Sequence, residues 1–325
     1  MRLALPLAAL VLALFFTSLG LGYAALPPRA VLGGLIGLGD PLHVMVMQEI
    51  RLPRSALAAL VGAALGLSGA AMQGYLRNPL AEPGLIGVSG SAALGAVLAL
   101  QTGLAAAFAL ALPLMALLFA LGAVALILLL AGPRGGSLVL ILAGIAVSAL
   151  AGALTSLVLN LSSNPYATYE IVFWMMGSVA DRSLTHLTLA LPLIALGGAA
   201  LLTLGRGLDA LTLGEDGAQA LGISLTSLRL RLLFGTAAAV GAATAVAGAV
   251  GFVGLVVPHL LRPLCGARPS RLLWASALGG AAMLLAADIA VRLILPERDL
   301  KLGVVMALIG APLFLHLIYK TRRGL

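Results

Sequence analysis

Apolar residues in this chain neither alternate nor recur at helical spacing; they run. Ten stretches, about 3–25, 55–75, 84–102, 105–131, 138–160, 186–205, 228–250, 252–264, 272–294 and 303–319, are almost wholly Leu, Ala, Gly and Val. Crossing a bilayer as a helix takes about 20 residues, and only helices and closed barrels satisfy the backbone in lipid. Barrel strands read as short alternating segments, whereas these runs are long and apolar on every side. The pattern therefore predicts an all-α polytopic membrane protein with ten transmembrane helices. The eighth run is short for a full crossing, which predicts a re-entrant segment or irregular backbone beside it. Two further stretches, 29–50 and 165–184, read as interfacial.

Composition agrees: 62% of residues are hydrophobic, 9% are charged and the mean hydropathy is +1.14. No polar stretch is long enough to hold a soluble domain, so residues 1–325 read as one integral membrane domain. The net charge of +8 does not point to nucleic acid, because the basic residues are scattered over short loops and not gathered in a patch. Cys265 is the only cysteine, which excludes an intrachain disulfide. The N-terminus, with Arg2, an apolar core and small residues at Tyr23-Ala24-Ala25, imitates a signal peptide. Its apolar run of about 23 residues fits an uncleaved first span better.

Ten spans put both ends on one side. That side holds 12 of the 19 Lys and Arg residues, including Arg2, Arg134 and Arg206, against 7 on the other, including Arg51, Arg54, Arg292 and Arg298. The excess predicts cytoplasmic termini, yet the external face is unusually basic. Small residues at i, i+4, as in Gly62-x-x-x-Gly66 and Gly144, Ser148, Gly152, predict close helix approach. "GAALGLSGA" (62–70) and "GAATAVAGA" (241–249) echo each other five spans apart, as an inverted repeat requires.

Chemistry-bearing motifs are few. There is no G-x-x-x-x-G-K-[ST] phosphate loop, no H-E-x-x-H and no Cys/His cluster. The expectation is therefore no enzyme, no metal and no cofactor bound by this chain. Asp288 and Arg292 sit at i, i+4 near the outer end of the ninth span, the order that favours an ion pair. No other span carries a convincing mid-membrane acid, which leaves the energy source outside the chain. "LRNPLAEPG" (76–84) carries Pro79 and Pro83, and Asn78-Pro79 marks a tight turn at the cytoplasmic surface. In the longest cytoplasmic loop, 206–227, Glu215-Asp216 is the only adjacent acidic pair. Acids favour a helix start, Ala218–Leu221 continue the helix, and Gly222 can end it. A short helix there reads as a docking element. Whether Glu215 and Asp216 touch a partner or only cap the helix stays open.

Several blocks in series, "RLPR" (51–54), 62–96, "FWMMGS" (173–178), "GFVGLVVPHLLR" (251–262), "ADIAVRL" (287–293) and "LKLGVVMALIGAPLF" (300–314), resemble the membrane permeases of bacterial ABC importers for iron-siderophores, haem and cobalamin (type II importers). The resemblance implies a ten-span permease fold with an inverted repeat, working as a homodimer in the inner membrane. It also implies two ATPase subunits, which carry ATP and Mg, and a substrate-binding protein outside. Coupling to the ATPase falls on Gly214, Glu215, Asp216, Ala218, Leu221 and Gly222. The cytoplasmic gate falls on Asn78 and Leu80. Docking of the binding protein falls on Arg51, Arg54 and Arg292, which would explain the basic external face. Ser148, Thr155, Asn160, Trp174, Met175 and Met176 are candidates to line the pathway. The rival class is an ion-coupled carrier or channel, which needs mid-membrane charge and no docking helix.

Overall fold

The apolar runs fold as helices because lipid leaves the backbone no other partner. The structure is a computed structural model that describes residues 3–22, 26–108, 110–132, 136–162, 164–294 and 300–323. Arg2, Tyr23-Ala24-Ala25, Arg134 and Arg298, used above for the leader and orientation readings, lie outside the described residues. The helices are α1 (Ala4–Gly20), α2 (Pro28–Leu35), α3 (Pro41–Met45), α4 (Leu52–Tyr75), α5 (Val88–Gln101), α6 (Leu104–Ala107), α7 (Ala111–Ala131) and α8 (Ser137–Asn160). There follow α9 (Pro165–Met175), α10 (Leu184–Leu202), α11 (Gly205–Leu211), α12 (Glu215–Ala220), α13 (Leu225–Ala247), α14 (Val253–Leu261), α15 (Pro269–Ile294) and α16 (Leu302–Arg323). No strand occurs among the described residues.

Six stretches among them are long and apolar enough to cross a membrane: Pro41–Tyr75, α7, Leu138–Asn160 of α8, α10, α13 and α15. Three shorter apolar helices, α1, α5 and Leu302–His316 of α16, stand at expected spans. The expected second span is longer than its apolar run. A π-turn at Val46–Arg51 joins α3 to α4, so helix is continuous over Pro41–Tyr75. The polar residues of 41–51 hid this from the hydropathy pattern. The 165–184 segment is helical over α9 and then irregular until α10 begins at Leu184.

α4 and α13 form the interior, and α15 lies along α4. The α4–α15 seam is glycine against glycine. A Cβ on Gly62 would overlap the carbonyl of Gly280, one on Gly280 would overlap that of Gly62, and one on Gly66 would overlap that of Ser276. The Gly62-x-x-x-Gly66 face thus brings two backbones together, as small residues do in lipid. Leu5, Leu129, Leu138 and Leu308 are exposed on the periphery, where a membrane protein meets hydrocarbon.

We expect Gly62→Leu to lower stability by about 1–3 kcal/mol or more, because the seam has no room. Gly152→Ala, where a Cβ meets nothing within 4 Å, should leave the melting temperature in detergent unchanged or raised. Thermal unfolding of the two variants checks this.

Candidate functional site

Two places in the bundle interrupt helical backbone. The first is 76–87. α4 ends with Arg77 at φ +49, and the Asn78 N–H donates to the Gln73 carbonyl at 3.2 Å. The Asn78 side-chain oxygen then accepts from the Leu80 N–H at 2.9 Å, an Asx turn. This is the tight turn expected at Asn78-Pro79; Asn78 is exposed and Leu80 half-buried. The chain continues inward. The Gly84 carbonyl accepts from the Ser148 hydroxyl at 3.4 Å, and Gly87 at φ +75 packs on Val147 and Gly144. Ser148 is the twelfth residue of the 24 in α8, so this stretch reaches the middle of that helix. The third span therefore becomes α-helical only at Val88, because Pro83–Ile86 form a single 3-10 turn that ends at the left-handed Gly87.

The second break is 248–252, before α14. Gly248 has φ +72 and Phe252 has φ +67. Phe252 packs against Gly310, the ninth residue of the 22 in α16. The short eighth span is thus a half-length helix of nine residues, about 14 Å long. The two breaks meet. The Phe252 N–H donates to Glu82 Oε1 at 2.6 Å, and Gln73 Nε2 donates to the carbonyls of Gly254 (3.3 Å) and Leu255 (3.2 Å). Arg262 donates to Gln73 Oε1 at 2.7 Å from the far end of α14. Sequence reasoning missed Glu82, Gln73 and Arg262. The available signal was an acid and an amide in otherwise apolar surroundings.

The connection between α10 and α13 is helical too. Gly214 at φ +98 precedes α12, and Gly222 at φ +79 follows it. The Gly222 N–H donates to the Gln219 carbonyl at 2.8 Å, and the Ile223 N–H to the Ala218 carbonyl at 3.0 Å. This is a glycine-ended helix, as expected at Gly222. Ala218 is fully buried, whereas Asp216 and Leu221 are exposed, as is Leu213 just before the helix. Glu215 is half-buried and lies within electrostatic reach of Tyr75, together with Arg229. The acidic pair is therefore divided: Glu215 faces the bundle and Asp216 faces away. α11 anchors this connection to α15. Asp209 accepts from Arg268 Nε (2.9 Å), the Ser270 N–H (2.8 Å) and the Ser270 hydroxyl (2.7 Å). Burial pushes the Asp209 carboxyl up, but the Ser270 hydrogen bonds and the Arg268 guanidinium outweigh it and hold it below its ordinary value.

At the opposite end, Arg51, Arg54, Arg292 and Asp288 form one cluster. Asp288 pairs with Arg54 at 2.9 Å and with Arg292 at 2.7 Å, confirming the expected i, i+4 pair. Arg51 donates to the carbonyls of Leu19 (2.9 Å) and Gly20 (3.2 Å). Arg292 donates to those of Ser18 and Leu21, both at 2.9 Å, and to the Ser18 hydroxyl. These carbonyls close α1 and have no helical partner, so cations are favoured there. Of the three arginines expected to meet the binding protein, Arg51 is 4% exposed, and the Arg54 and Arg292 side chains are 22% and 12% exposed.

The pathway candidates fall apart. Thr155 is buried and donates to its own helix at Ala151, Ser148 is turned to Gly84, and Asn160 is exposed at the end of α8. Trp174, Met175 and Met176 belong to a junction: the Ser178 N–H donates to the Ala247 carbonyl at 2.7 Å, and the Gly303 N–H to the Gly177 carbonyl at 3.3 Å. That junction ties α9 to the ends of α13 and α16.

Two outcomes follow from this geometry. Asp209→Asn should lower stability by about 1–2 kcal/mol at neutral pH. The native carboxyl lies low, so its contribution is complete above the ordinary Asp value near 3.9 and fades as pH falls below it. The gap in melting temperature between wild type and variant should therefore close only in that acid range. Glu82→Ala leaves the Phe252 N–H without its acceptor and should cost about 1–3 kcal/mol. Glu82→Gln keeps an acceptor oxygen and should recover most of that in the same thermal assay.

Comparison with known proteins gives a consistent set. Residues 10–320 match the FecCD transport family. The chain is 40% identical to the ABC transporter permease protein YvrB of Bacillus subtilis, over 90% of this chain and 84% of that one. It is 40% identical to the hemin transport system permease protein HmuU of Yersinia pestis, over 84% and 83% of the two chains. It is 41% identical to the vitamin B12 import system permease protein BtuC of Shigella boydii, over 89% of each. A solved structure described as an inward-facing conformation of a metal-chelate type ABC transporter superposes with a TM-score of 0.87. It is 36% identical and covers 98% of this chain and 99% of the other.

Proposed function

The chain belongs to the FecCD transport family, and from that premise we propose that it is the permease subunit through which an ATP-driven importer moves a metal chelate such as an iron-siderophore, haem or cobalamin. It acts by alternating access in the bacterial inner membrane, with ten crossings arranged as an inverted repeat, one permease domain and both termini in the cytoplasm. Two copies form the pathway between them. Two separate ATPase subunits, holding ATP and Mg, bind on the α12 side, and a substrate-binding protein docks on the other; the chain itself holds no cofactor.

The observation that carries this reading is α12. It is a six-residue helix pinned by two glycines, with Ala218 anchored inside. Leu213, Asp216 and Leu221 are presented outward around it. A chain without a phosphate-binding loop receives work from outside, and an apolar-plus-acidic face joined to α15 through Asp209 is suited to receive it. The paired breaks, each closing at a left-handed residue before α5 and α14, support the inverted repeat. The gate stays on the Asn78–Leu80 turn, which the Glu82 link joins to α14. Of the three arginines, Arg54 keeps the largest exposed side-chain surface, and docking of the binding protein is assigned to it. Charge in the bundle gives a carrier little to work with: Asp288 is matched by two arginines, and Glu82 is engaged by the Phe252 N–H.

Asp216→Lys should lower the ATPase stimulation caused by loaded binding protein by about tenfold, equivalent to about 1.4 kcal/mol of coupling, while the melting temperature holds. Glu215→Lys, placed beside Arg229 and Tyr75, should lower the melting temperature as well. Reconstituted permease with its ATPase in vesicles checks both; full stimulation in Asp216→Lys would contradict the assignment of α12.

A further inference from the structure

A groove of about 980 Å³ opens on the α12 side of the molecule, between the start of α1, the turn Pro263–Cys265 and the start of α15. It is lined by Leu3, Leu264, Cys265, Ala275 and Leu278 together with Arg271 and Trp274, both of which are exposed. Arg271, Trp274 and Leu278 recur at i, i+3, i+7, so they share one face of α15. The face changes from charged to aromatic to apolar along the direction in which α15 enters the membrane. Trp274 is 59% exposed, a wasteful placement in water but the usual one for an indole at a membrane interface.

The Arg271 charge is uncompensated. Arg271 is exposed, and its guanidinium makes no hydrogen bond or ion pair shown among the described residues. The neighbouring acid, Asp209, is already occupied by Arg268 and Ser270. A cation, an exposed aromatic one turn along the helix and an apolar groove together complement one molecule class: an anionic phosphate ester carrying acyl chains. A soluble phosphate would leave the apolar groove unfilled, and a neutral lipid would leave Arg271 unmatched. Basic pockets between membrane helices on the cytoplasmic side hold anionic headgroups for this reason.

We propose that this groove is a binding site for an anionic phospholipid of the cytoplasmic leaflet, with its phosphate at Arg271, its glycerol region against Trp274 and an acyl chain along Leu278 towards α1. The proposal rests on the permease reading only for which leaflet it faces. A lipid seated there braces the start of α15, which carries the Arg268–Ser270 anchor of the coupling loop.

The test uses intrinsic fluorescence of the full chain. Only two tryptophans occur in the sequence, so Trp174→Phe makes Trp274 the sole reporter. In vesicles carrying brominated phosphatidylglycerol or brominated phosphatidylcholine at equal mole fraction, the anionic lipid should quench Trp274 with about fivefold preference, the advantage expected of one arginine near an anionic headgroup. Arg271→Gln, an exposed change that spares the core, should abolish the preference while leaving residual quenching. Equal quenching by both lipids, or a preference that survives Arg271→Gln, would overturn the site. Relief of quenching by soluble glycerol phosphate would reassign it to a soluble phosphate ester. Quenching by neither lipid would place the start of α15 outside the bilayer and overturn the membrane placement itself; none of these outcomes depends on transport or on the ATPase.

Discussion

In hydrocarbon each backbone N–H and C=O must find a partner within the protein, and this chain breaks its helices at two places inside the bundle. The donors and acceptors freed at 76–87 and 248–252 satisfy one another through few side chains. Glu82 receives the Phe252 N–H, Gln73 covers the first carbonyls of α14, and Arg262 holds Gln73 in place. The breaks therefore cannot be separate features. Moving the turn at Asn78–Leu80 moves Glu82, and moving Glu82 disturbs the start of α14. The segment that follows the Asn78–Leu80 turn is joined to the start of the half-helix by the 2.6 Å hydrogen bond from the Phe252 N–H to Glu82.

The other features connect to that pair. α4 ends at the first break and packs along α15 through the Gly62–Gly280 contact, where the two backbones touch without room for a Cβ. α15 begins at the Asp209 anchor beside α11 and α12 and ends at the Arg51–Arg54–Asp288–Arg292 cluster that closes α1. α12 is thereby linked to α15 through α11 and its Asp209 anchor, and α15 in turn lies along α4, which ends at the Asn78–Leu80 turn. Glu215 adds a shorter route, since it faces Tyr75 at the end of α4.

Much of this was legible in the sequence. Long apolar runs fix helices because lipid allows nothing else, and the glycines at 62 and 66 announced a close approach. The acidic pair and Gly222 marked both ends of α12. What could not be read were contacts distant along the chain. Glu82 and Phe252 lie 170 positions apart, and no local spacing joins them. Arg51 and Arg292 looked like surface charge because the open carbonyls of α1 that claim them belong to a remote segment. Helical period alone does not say which face of α8 is covered, so the burial of Thr155 was not legible either. The continuity of α3 into α4 was hidden because polarity, not propensity, interrupted the apolar run.

The central claim is that transport through this chain is driven by an ATPase bound at α12. The most direct measurement is uptake of a metal chelate into vesicles containing the permease, with binding protein supplied outside and with or without the ATPase and ATP. Uptake should require both, and vesicles lacking either should show only the leak seen without permease. Concentrative uptake by the permease alone, driven by an ion gradient, would contradict the claim.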